Sequence, residues 1–154
     1  MTKSDEKLTS LLQEYTCKDG TLLEALHAVQ HEYGYIHSDT VPVIANAFNL
    51  SHADVHGVIS FYHDLRTQPA GKHVIKVCQA ESCQSMGSRD LTKHIEKALA
   101  TEMNSTSTSG SYTLEPVYCL GNCACSPSVM INNTVYGKVS DDRFDTILED
   151  EVSS

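Results

Sequence analysis

The sequence holds six cysteines in 154 residues and not one C-x-x-C pair. That absence removes the ordinary dithiol oxidoreductase motif and the tight knuckle from which zinc usually takes its thiolates. Long apolar runs are also missing. No stretch approaches the roughly 18 apolar residues a membrane-spanning helix needs, and the opening "MTKSDEKLTS" has no apolar signal core. Basic charge is sparse: 11 Lys and Arg stand against 20 Asp and Glu, a formal net charge of −9, and the basic residues are scattered rather than gathered in runs. Nucleic acid is excluded as a partner on that ground, because phosphate-backbone binding needs a clustered basic footprint. Neither G-x-G-x-x-G nor a P-loop is present, so a nucleotide has no phosphate cradle of those kinds. No internal repeat occurs. The expectation is a soluble, cytoplasmic chain. In a reducing cytoplasm its cysteines point to metal or redox chemistry rather than to structural disulfides.

With 40% hydrophobic residues the chain can bury a core of its own. Residues 4–15 carry Leu8, Leu11, Leu12 and Tyr15 at helical spacing, with Ser4 as N-cap. In "GTLLEALHAVQHEYG" Thr21 and Glu24 form a capping box, Leu22, Leu26, Val29 and Tyr33 share a face, and Gly34 suits the helix end. A short helix follows from Val41 to Phe48 with Pro42 in its first turn, then another from Ser51 through Tyr62. Beyond "TQPAGK" (67–72) the period changes from helical to extended, which sets a boundary there: a helical region 1–70 and a second domain 71–154. In the second domain "HVIKVC" reads as a strand, "MGSRDLTKHIEKALA" as a helix capped by Ser88, and "YTLEPVYC" as a strand. "SVMIN" and "TVYGKVS" form a hairpin, and "DDRFDTILED" a last helix. Pro116 marks an edge or irregular position, and 104–110 reads as a solvated loop. The fold class is α+β, a helical bundle followed by a β-α-β-β-α domain with the order of a thioredoxin-like half-open sandwich.

Cys78 ends the first strand and begins a C-x4-C pair with Cys83; Cys119 ends the second and begins a C-x3-C pair with Cys123. If the two strands are neighbours in one sheet, the pairs sit at equivalent strand ends and all four sulfurs project from the same edge of the domain. Both loops are wider than a zinc knuckle, and a [2Fe–2S] core, with two thiolates on each iron, is a wider object than one ion. The plant-type ferredoxin spacing, in which C-x2-C follows C-x4-C, is not met. Zinc and reduced structural cysteines remain the alternatives on spacing alone. Gly87, Gly121 and Asn122 lie where small or left-handed-tolerant residues could turn backbone N–H groups toward sulfur.

The C-x4-C pair, the helix and strand after it, and "CLGNCACSPSVMIN" followed by Tyr136 resemble the small thioredoxin-like [2Fe–2S] subunit, the E type, of NADH dehydrogenases and related NAD-linked complexes. "HEYGYI", "VPVIANAFNLS" and "VHGVISFYHDLR" resemble the helical extension that precedes the ferredoxin domain in that family, so the likeness covers about residues 20–148. The resemblance implies that Cys78, Cys83, Cys119 and Cys123 hold one [2Fe–2S] cluster and that Cys125 is not a ligand. It implies a non-catalytic electron-transfer subunit beside a flavoprotein that binds FMN and NAD(H), with no active site of its own. "FYHDLR" and "VCQAESCQSMG" look most like the gamma subunit of soluble NAD-dependent formate dehydrogenase. The alternatives are a subunit of NADH-quinone oxidoreductase or NAD-reducing hydrogenase, or, in another class, a zinc-bound interaction module.

Other residues invite plainer readings. Cys17 is a lone cysteine. His27 and His31 are an i, i+4 pair without a third ligand. His63 and Asp64 suit a subunit contact better than acid–base work. The acidic run Asp141, Asp142, Asp145, Glu149, Asp150 and Glu151 is a solvated helix face.

Overall fold

The computed structural model describes residues 3–17 and 20–153. The chain divides into two compact units, Met1–Pro69 and Ala70–Ser154. Among its described residues the first holds four α-helices, α1 (Lys3–Thr16), α2 (Leu22–Tyr33), α3 (Val41–Phe48) and α4 (His52–Phe61), with a 3-10 turn at Ser38–Thr40 leading into α3. α1 begins at Lys3, so Ser4 sits inside the first turn instead of capping it, and its side chain lies outside the described ones. α2 carries the complete capping box: the Thr21 hydroxyl accepts from the Glu24 N–H, and the Glu24 carboxylate accepts from the Thr21 N–H at 2.7 Å. Ser51 and Asp54 repeat the device at α4. Gly34, at φ 82°, ends α2 in the left-handed region that glycine adopts without a Cβ penalty.

The stripes that make these helices amphipathic meet in one core of Leu8, Leu12, Leu26, Val29, Ile44, Val55 and Ile59 with their neighbours. Burying one such side chain contributes about 1.5–3 kcal/mol. The segment after α4 is fastened to α2 through Gln30, whose side-chain amide donates to the Asp64 carbonyl (2.7 Å) and whose side-chain carbonyl accepts from the Arg66 N–H (2.5 Å). Leu65 is buried beneath, while Phe61 and Tyr62 are left outside, 73% and 40% exposed and stacked edge to face.

The second unit is a five-stranded sheet with strands β1 (His73–Cys78), β2 (Ser105–Thr106), β3 (Tyr112–Val117), β4 (Val129–Ile131) and β5 (Thr134–Tyr136) in the order β2-β3-β1-β4-β5. β1 and β3 are parallel neighbours, with Cys78 opposite Val117, and the remaining pairs are antiparallel. The helices of this unit are α5 (Glu81–Ser85), α6 (Ser88–Leu99) and α7 (Asp141–Ser153). Leu91, Ile95 and Leu99 recur every four residues on α6 and close over Ile75, Val77, Leu114 and Ile131, with Phe144 of α7 fully buried in the same cluster.

Three local expectations change. Ser88 does not cap α6; Gly87, at φ 97°, holds that position, and the buried Ser88 hydroxyl instead donates to the Cys78 carbonyl at 2.6 Å. The solvated loop 104–110 contains β2, which pairs with Thr113 and Leu114 and is too short to leave a periodic signal. α5, a short turn of helix that carries Cys83 itself and for which the sequence sets no expectation, is equally without one. The acidic C-terminal helix is not simply solvated, since Asp145 meets His94 Nε2 at 2.9 Å and Glu151 accepts from the Tyr136 hydroxyl. Pro116 does sit where its missing N–H is harmless: it lies opposite Val77 of β1, and β2 on the other side reaches only Thr113 and Leu114. Among the described residues no helix is long and apolar enough to cross a membrane.

Candidate metal centre

Cys78 is the last residue of β1 and is buried. Its N–H donates to the Ser128 carbonyl at 3.1 Å and its carbonyl takes the Ser88 hydroxyl, so both sides of its backbone are fastened. The turn of α5 then brings Cys83 back, also buried, into hydrogen-bond contact with the Cys78 thiol. Cys119 lies two residues past the end of β3 rather than on its last position, with φ at 118°. Cys123 opens a 3-10 turn that runs to Cys125. Their sulfurs stand 3.7 Å apart, and both residues are exposed. Two thiolates on one tetrahedral metal, each about 2.3 Å from it, are separated by about 3.7 Å.

The two loops interlock. Backbone N–H groups of Ala80 from one loop and Leu120 from the other donate to Cys78 sulfur, the Gly121 N–H donates to Cys119 sulfur at 3.3 Å, and Ser128 supplies donors to Cys83. Gly121 has φ 73°, the left-handed geometry that aims its N–H at the sulfur. Asn122 and Gly87 do not play that part. Asn122 stays at φ −110° and ties its side-chain amide to the Ser128 hydroxyl, and the Gly87 N–H donates to the Gln84 carbonyl.

The environments of the thiols differ. Burial is the main influence that pushes Cys78 above the ordinary thiol value, aided by the adjacent Cys83. Burial acts upward on Cys83 as well, but the Ser126 hydroxyl, the Cys78 thiol and Ser128 outweigh it and hold Cys83 below that value. Cys123 is raised by the hydrogen bond and charge of Cys119 beside it.

Cys125 faces another way in the chain's bonding. Its N–H donates to the Asn122 carbonyl and its carbonyl accepts from the Lys138 N–H. Gly137 packs on it so closely that an added Cβ would lie 2.7 Å from the Cys125 Cβ. Cys17 lies exposed just past the end of α1, and His27 and His31 are exposed on α2. Among the described residues no three His, Cys, Asp or Glu side chains are grouped as a single metal ion requires; the four thiols stand as two pairs. Residue reading missed Ser82, Ser126 and Ser128, whose hydroxyls line both loops. The serine density of "ESCQS" and "CSPS" was the available signal.

The sequence profile of the thioredoxin-like [2Fe–2S] ferredoxins matches residues 8–151. The chain belongs to that family. Its cofactor is one [2Fe–2S] cluster, and the residues present fit it: two thiol pairs at one end of the parallel strands β1 and β3, with backbone N–H groups directed at sulfur to offset anionic charge.

The E-type subunit of NADH-quinone oxidoreductase from Pseudomonas aeruginosa is 35% identical over 127 residues, covering 82% of this chain and 76% of that protein. Its counterpart in Escherichia coli K12 is 30% identical over 144 residues, covering 94% and 87%. Among solved structures, an NAD+-reducing [NiFe]-hydrogenase in the air-oxidized state superposes with a TM-score of 0.71 at 21% identity. That match covers 83% of this chain and only 22% of the hydrogenase chain.

Proposed function

We propose that Cys78, Cys83, Cys119 and Cys123 ligate the cluster, and that the chain is a cytoplasmic electron-transfer subunit of an NAD-linked oxidoreductase. The observation that carries this reading is the interlocked pair of cysteine loops at one end of the parallel strands, one thiol pair buried and the other at the surface. The bound cluster accepts and releases one electron at a time. The buried pair anchors it: Cys78 and Cys83 are set by the sheet and by α5, so little reorganises around them when charge changes. The exposed pair leaves the opposite side open for transfer to a docked protein. NADH delivers a hydride, so a flavin must divide the electron pair. This chain has no fingerprint for either cofactor, and FMN and NAD(H) are assigned to a partner subunit.

The complex is proposed to be NAD-dependent formate dehydrogenase, supported by the likeness of "FYHDLR" and "VCQAESCQSMG" to its gamma subunit. A second reading, a respiratory NADH-quinone oxidoreductase, is supported by the curated relatives at 30–35% identity. Purification of the tagged chain from its native cells separates the two. The expected co-purifying material contains an FMN subunit and reduces NAD with formate. Quinone reduction by NADH, or hydrogen-dependent NAD reduction, selects the corresponding alternative; a chain that binds no flavoprotein removes the subunit assignment.

A further inference from the structure

The geometry assigns to Ser126, working with Ser82, the role of setting the cluster's reduction potential through a hydrogen bond to Cys83 sulfur. This rests on Cys83 being a ligand. Ser126 is 8% exposed and Cys83 2%. The Ser126 Oγ lies 3.4 Å from Cys83 Sγ, 2.9 Å from the Ser82 Oγ and 2.9 Å from the Cys123 carbonyl oxygen. The Ser82 Oγ is 3.2 Å from that same carbonyl. One hydroxyl comes from each cysteine loop.

Counting protons decides the direction of these bonds. While Cys83 is a thiol, its S–H donates to Ser126, and Ser126 donates to the Cys123 carbonyl. As a metal-bound thiolate Cys83 has no proton and becomes an acceptor. Two hydroxyl protons then face two acceptors. Only one assignment serves both: Ser82 donates to the Cys123 carbonyl, and Ser126 donates to Cys83 sulfur. Any other leaves the Ser126 oxygen facing a buried anionic sulfur with no proton between them, and Ser128 as that sulfur's remaining hydroxyl donor. Ser128, also against Cys83, has the Asn122 and Cys125 carbonyls at 3.5 and 3.4 Å as outlets for its own proton.

A cluster with four thiolates carries about −2 charge oxidised and about −3 reduced, so a donor to sulfur stabilises the reduced form more and raises the potential. The Ser82 hydroxyl bonds to the Cys123 carbonyl and to Ser126, and it frees the Ser126 proton by occupying the competing carbonyl.

Redox titration of the full-length, cluster-loaded chain, followed by the paramagnetic signal of the reduced cluster, tests this. In Ser126→Ala the ratio of reduced to oxidised cluster at a fixed ambient potential should fall about three- to tenfold, tenfold being about 59 mV for a one-electron couple. Ser126→Thr, which keeps the hydroxyl, should restore the wild-type value. Ser82→Ala should shift the ratio in the same direction, because the Ser126 proton returns to the carbonyl. Should Ser126→Ala fail to take up a cluster, Ser82→Ala decides alone. Alanine variants with the wild-type potential overturn the inference. Cys83→Ser separates that failure from failure of the ligand assignment: an altered or lost spectrum keeps Cys83 as a ligand, and an untouched one removes both.

Discussion

At the scale of single residues, three cysteines crowded into seven positions have different standing. Cys119 and Cys123 put their sulfurs 3.7 Å apart, whereas Cys125 has its backbone committed to Asn122 and Lys138 and its Cβ against Gly137. Cys125→Ser should therefore purify with iron and acid-labile sulfide at about two of each per chain, as a [2Fe–2S] centre requires, and with an unchanged spectrum. Cys119→Ser and Cys123→Ser should lose or grossly alter it. Loss in Cys125→Ser together with retention in Cys123→Ser would reverse the choice, and one zinc in place of iron would move the chain to the interaction-module class. Spacing alone left Cys123 and Cys125 as rivals, C-x3-C against C-x5-C from Cys119, and it is the family resemblance that implies Cys123. The hydroxyls around Cys83 were not legible, because they come from two loops whose contact depends on β1 and β3 lying side by side.

At the scale of elements, α2 and α4 start in matching capping boxes whose carboxylates are held below their ordinary values. For Glu24 the leading cause is the Thr21 N–H, and for Asp54 it is the Ser51 hydroxyl. A depressed carboxylate contributes its stability in full above its unfolded value and loses it as the pH falls through the folded one. The helical unit should accordingly hold its melting temperature down to about pH 5. It should lose it progressively below the ordinary values of 4.5 for glutamate and 3.8 for aspartate, a loss followed by circular dichroism. Thr21→Ala should cost about 0.5–2 kcal/mol in urea unfolding at neutral pH; no change would mean that the box is redundant with tertiary packing. The Thr21–Glu24 box could be read from the sequence because it acts over three residues, and the Ser51–Asp54 box, with an aspartate in place of the glutamate, came from the structure. α5 and β2 could not be read from the sequence either: five and two residues carry no period, and packing against the cysteine loop and β3 holds them in place.

At the scale of the whole molecule, each compact unit has its own hydrophobic cluster, and all four proposed ligands with Ser82, Ser126 and Ser128 belong to the second. A fragment beginning at Ala70 should fold, keep its cluster and lose the flavoprotein partner. Absorbance, iron content and co-purification read the three effects. A colourless, aggregated fragment would show that the units fold only together. The exposed Phe61 and Tyr62 pair lies in the part such a fragment lacks.

The sequence by itself determined whatever local periodicity and spacing encode: four amphipathic helices, one of them with its capping box, the order of the longer strands along the chain, and two cysteine pairs too wide for a zinc knuckle. A family likeness was legible in the same motifs. Only the tertiary structure decided which groups meet across loops. Ser88 abandons its cap to fasten Cys78, Leu120 donates to a cysteine 42 positions earlier, and Ser126 reaches Cys83 at a separation of 43 residues. Such contacts leave no trace in spacing, because the distance between two loops is set by the hydrogen-bonded register of the strands beneath them and not by the number of residues between them.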